Sequence, residues 1–124
     1  MATAERPESV GKLMATGGGF ETWMQYVDGF TLRHFCGFEL LNDARGLSCL
    51  RDYHRKIVEA AVVNGFGVIN EVLHYRASRD WGDLTGYSRE ALEEINIRGV
   101  EFYRDIARQY ASPETPMLFG GAIG

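Results

Sequence analysis

Apolar positions fall into three short continuous runs separated by two long stripes of helical period, and this alternation predicts the elements. Lys12-Leu13-Met14-Ala15-Thr16 is short, largely apolar and stops at Gly17-Gly18-Gly19, which predicts a buried strand. From Phe20 to Asn42 the pattern is irregular and aromatic, with Phe20, Trp23, Tyr26, Phe30, Phe35 and Phe38 predicting a long loop packed over one end of the fold. Leu50, Tyr53, His54, Ile57, Val58 and Ala61 then recur at helical spacing, opposite Arg51, Asp52, Arg55, Lys56 and Glu59. Ser48 is the expected cap of this helix and Asn64-Gly65 its stop. Phe66 to Ile69 reads as a second strand, bounded by the polar Asn70-Glu71.

A second loop is expected from Glu71 to Tyr87. Ser88 caps the next helix, with Glu90 in its first turn, and Leu92, Ile95, Gly99, Phe102, Tyr103, Ile106 and Tyr110 form its apolar stripe. Ala111-Ser112-Pro113 ends it, and Pro116 to Phe119 is a third strand running into glycine. The order β-α-β-α-β predicts an α/β fold with parallel strands and right-handed crossovers. Strands without polar alternation suit a sheet covered on both faces, as in a doubly wound sheet or a (β/α)8 barrel. Residues 1–11 are expected to be a flexible leader, and residues 12–124 the domain.

Composition narrows the picture rather than redrawing it. With 45% hydrophobic and 24% charged residues the chain is of globular type, and a net charge of −4 offers no basic footprint for nucleic acid. No apolar run reaches the roughly 18–20 residues that cross a bilayer, and the polar start lacks a secretory signal's apolar stretch. Cys36 and Cys49 do not make a disulfide framework, so a soluble cytoplasmic protein is expected. The 15 glycines are unusual for 124 residues; they cluster at the predicted strand ends, where turns and close backbone approach are expected.

Ligands of parallel α/β folds bind beyond the carboxyl ends of the strands. Three groups lie there: Gly17 to Thr22, Glu71 to Arg76, and Gly120 to Gly124. The first is not a dinucleotide fingerprint, since Thr22 stands where the last glycine belongs and no helical pattern begins behind it; nor is it a P-loop, since no Lys follows. Glu21 and Glu71 are the rim acids expected to orient a substrate. Arg76 is expected to pair with Asp80, Tyr75 and Trp81 to serve in packing, and His54 to be a packed structural histidine. His74 is the one rim histidine.

Gly18-Gly19-Phe20-Glu21-Thr22-Trp23, Phe38 to Asp43, Leu50 to Tyr53, Gly65 to Ile69, Tyr75 to Gly82, Gly86 to Leu92 and Glu94-Ile95-Asn96 follow one another in an order that resembles the homocysteine S-methyltransferase family. Gly120-Gly121-Ala122-Ile123-Gly124 is similar to that family's small-residue stretch after strand three. The resemblance covers about residues 12–124. It implies the first three strands of a TIM-type (β/α)8 barrel, which needs roughly 250 residues. It also implies methyl transfer from a sulfonium or ammonium donor to the homocysteine thiol. Gly18, Gly19, Glu21, Thr22 and Glu71 become the substrate-binding candidates.

The family's zinc, which turns the thiol into the nucleophilic thiolate, is held by cysteines of later strands that have no counterpart here. Activity by this chain alone is therefore not expected, and neither Cys36 nor Cys49 has the spacing to replace those ligands. Three positions depart from the family pattern: Gly17 stands for an Asp, Val72-Leu73-His74 for Ser/Thr-Pro-Thr, and Ala122 for a frequent Cys. The alternative is a non-catalytic remnant or association module, self-associating through open sheet edges.

Overall fold

Every strand in the computed structural model, which describes residues 11–121, pairs in parallel. The expected leader up to residue 10 and the Ala122-Ile123-Gly124 stretch lie outside the described residues. Strand β1 (Met14–Thr16) pairs with β2 (Gly67–Glu71), which pairs with β3 (Met117–Gly120), in the order β1-β2-β3. The α/β class and the three parallel strands are as expected. β2 runs two residues further than the apolar run suggested, because Asn70 and Glu71 continue the ladder opposite Phe119 and Gly120.

Helix α2 (Ala44–Asn64) starts earlier than the Ser48 cap predicted. Asp43 is the cap, its carboxylate accepting the Gly46 amide at 2.5 Å, and Ser48 is an exposed residue one turn inside. The helix stops as expected at Gly65, whose φ of 69° suits a residue without a Cβ. Helix α4 (Arg89–Tyr110) is capped by the Ser88 hydroxyl, which accepts the Ala91 amide at 3.1 Å. Its predicted stripe is buried from Leu92 to Ile106.

Two expected loops contain helix. Residues 20–42 hold α1 (Phe20–Tyr26) and two 3₁₀ segments, Arg33–Phe35 and Gly37–Asn42, while residues 71–87 hold α3 (Arg79–Thr85). In α1 only Glu21 and Met24, three residues apart, are buried, and Trp23 and Tyr26 stay exposed. Aromatic rings on both sides of a seven-residue helix erase the apolar stripe that would have announced it.

The core lies on one side of the sheet. Ala15, Val68 and Met117 share a row across the three strands and pack with Leu50, Val58, Phe102 and Tyr103 of α2 and α4. Side chains alternate along a strand, so Thr16, Ile69 and Leu118 form a row on the opposite face; Thr16 is exposed and the other two half-buried. The expected double-sided cover is thus met on one face only among the described residues. Val68 is 1% exposed and truncation to Ala there removes about 1–3 kcal/mol of burial. No helix of the described residues is long and apolar enough to cross a membrane.

Candidate functional site

The parallel strands direct their carboxyl ends to one rim, and the chain leaves β1 through three glycines. Gly19 takes a left-handed φ of 65° and turns the backbone directly into α1, so a helix does begin behind the glycines, contrary to the sequence expectation. That turn carries Glu21 back toward the end of β2. Gly19, Glu21 and Thr22 line one cleft of about 250 Å³ together with Glu71. Phe20, Phe35, Val72 and Tyr75 form its walls. Four of the five substrate-binding candidates therefore meet.

The fifth, Gly18, lies beside the cleft. Its carbonyl accepts the Tyr53 hydroxyl at 2.6 Å, which ties the glycine turn to α2. Burial, ahead of the nearby Glu21 and Glu71 charges, raises the Tyr53 pKa and so keeps this donor protonated. Below it, His54 is 6% exposed and shares a 2.6 Å hydrogen bond with the Tyr103 hydroxyl. Burial lowers the His54 pKa to about 4, and the ring is a neutral packed histidine, as expected.

The two acids differ. Glu21 is 7% exposed, whereas Glu71 is open to solvent. Burial raises the Glu21 pKa, its own backbone amide lowers it, and the Glu71 charge adds a smaller upward push. Two acids lining one cleft favour a cation that enters it.

Arg76 does not pair with Asp80. Its guanidinium instead donates to the His34 carbonyl and lies 4.1 Å above the Trp81 ring. Trp81 packs against the core as expected, but Tyr75 is 39% exposed and walls the cleft. His74 lies off the cleft lining, its ring so close to Gly121 that a Cβ there would stand 2.6 Å from Nδ1. At Gly17, where the resemblance implies an Asp, a Cβ would meet Ile57 Cδ1 at 3.2 Å, so an acid at this position requires the tip of the Ile57 side chain to give slightly.

Among the described residues no three His, Cys, Asp or Glu side chains are grouped to hold a metal ion. Cys36, between the two 3₁₀ segments, is buried, and Cys49, in α2, is half-buried. Compared with family models, with curated proteins and with solved structures, the chain finds no match.

Proposed function

We propose that this chain supplies the substrate rim of a homocysteine S-methyltransferase-type (β/α)8 barrel. The observation that carries the reading is the meeting of Gly19, Glu21 and Thr22 with Glu71 in one cleft at the carboxyl ends of parallel strands. Support comes from the sheet order β1-β2-β3 with both long helices packed on one core, an order that suits consecutive strands of such a barrel. In this reading the ammonium of the amino acid lies between the carboxylates, while Phe35 and Tyr75 exclude water from its apolar part. The reaction moves a methyl group from a sulfonium or ammonium donor to sulfur; the donor leaves as a neutral thioether or amine, and the thiol loses its proton. This chain's residues bind and orient the acceptor, and no step is assigned here to a metal. A cytoplasmic location suits the two free thiols.

Calorimetric titration with L-homocysteine tests this. Glu71→Gln and Glu21→Gln are each expected to weaken binding about ten-fold or more, the scale of a lost charge-assisted hydrogen bond. No binding by the parent chain at millimolar ligand would sink the reading. It would favour the alternative, an association module of the same fold, for which the support is the pair of strand edges at β1 and β3.

A further inference from the structure

Among the described residues, three that are not glycine have left-handed backbone: His34 (φ 49°), Phe35 (φ 60°) and Arg76 (φ 55°). Arg76 lies 41 or more positions beyond the adjacent His34 and Phe35 yet meets them at the rim, because its guanidinium donates to the His34 carbonyl. The Cys36 thiol approaches the same carbonyl at 3.8 Å. Trp81 lies beneath both turns, with the Arg76 guanidinium 4.1 Å from its centroid and the His34 ring 6.2 Å away. Left-handed backbone is unfavourable for a bulky residue such as Phe35, and it persists where surrounding contacts fix it. The residues next to the tie, Phe35 and Tyr75, are two of the three rings that wall the cleft around Glu21 and Glu71.

We propose that Arg76 is a positioning residue for this cleft: its guanidinium clamps the His34-Phe35 turn to the Tyr75-Arg76 turn on the Trp81 platform and so holds the Phe35 and Tyr75 walls beside the two acids. The proposal rests on the cleft being a ligand pocket, as inferred above, but the clamp itself does not depend on which ligand enters. Arg suits the task because its planar group can stack on an indole while donating in its own plane. Arg76 itself does not line the cleft, so it acts through Phe35 and Tyr75.

Two measurements separate the clamp from the homocysteine reading. In ligand-free hydrogen exchange, Arg76→Ala is expected to reduce protection about ten-fold at the Phe35 and Cys36 amides, which bond to the Leu32 and Arg33 carbonyls, while α2 and α4 stay unchanged. Arg76→Lys, which keeps the cation, should recover part of that protection. Unchanged exchange at those two amides in Arg76→Ala overturns the clamp, whatever the protein binds. The second measurement is L-homocysteine affinity for Arg76→Ala, Phe35→Ala and the double variant. If Arg76 acts through Phe35, the double loses no more than the worse single; additive losses overturn the positioning role. Loosened amides in a protein whose parent form does not bind homocysteine would uphold the clamp and reject only the homocysteine reading.

Discussion

At the scale of single residues, the buried His54–Tyr103 pair makes a pH prediction with a definite sign. The folded-state pKa of about 4 lies below the unfolded value of 6.5, so the native state disfavours the imidazolium. The contribution is complete above pH 6.5 and shrinks as pH falls toward 4, with a full loss of about 3 kcal/mol. Urea unfolding across this window should show the decline. His54→Gln, which can still bond Tyr103 and cannot titrate, should flatten the slope relative to the parent. Glu21 acts oppositely, since its raised pKa penalises the charged form at high pH and relieves that penalty on acidification. Comparing parent and variant slopes isolates the histidine. His54 was legible as structural from its place on the apolar stripe of α2, and the rim acids from their place after strands. The roles of Phe35 and Tyr75 were not, because they depend on left-handed backbone at residues whose names do not announce it.

At the scale of elements, α2 and α4 could be read from the sequence because each repeats its apolar stripe over at least three turns. The short α1 and α3 could not. Each runs seven residues, and α3 leaves Leu84 60% exposed, so neither holds a continuous stripe. The misplaced start of α2 had a signal in Asp43, a good cap that competes with Ser48. Two helical glycines make a contrasting pair. A Cβ at Gly99 would meet Leu73 Cβ at 3.7 Å and Leu41 Cδ1 at 3.8 Å, ordinary contacts. Gly99→Ala should therefore stabilise the protein by up to about 1 kcal/mol through helix propensity. A Cβ at Gly46 would stand 2.7 Å from the Leu40 carbonyl oxygen, and backbone there cannot easily retreat. Gly46→Ala should destabilise by about 1–3 kcal/mol. Urea midpoints for the two variants should move in opposite directions.

At the scale of the whole molecule, β1 and β3 each pair only with β2 among the described residues, and on the face opposite the core Thr16 is exposed while Ile69 and Leu118 are half-buried. Leu13 and Phe119 beside those edges are 71% and 44% exposed. Such edges favour pairing with another chain. Sedimentation velocity should show mass rising with concentration, and a sharp monomer across a wide concentration range would reject this expectation. The same strand order has a consequence for synthesis. Each strand pairs with the one made just before it, and α2 and α4 close their common core on the same side. On a ribosome, β2 therefore emerges to find β1 already available, and β3 to find β2. The two pairings among these strands can therefore form in the order in which the strands are translated.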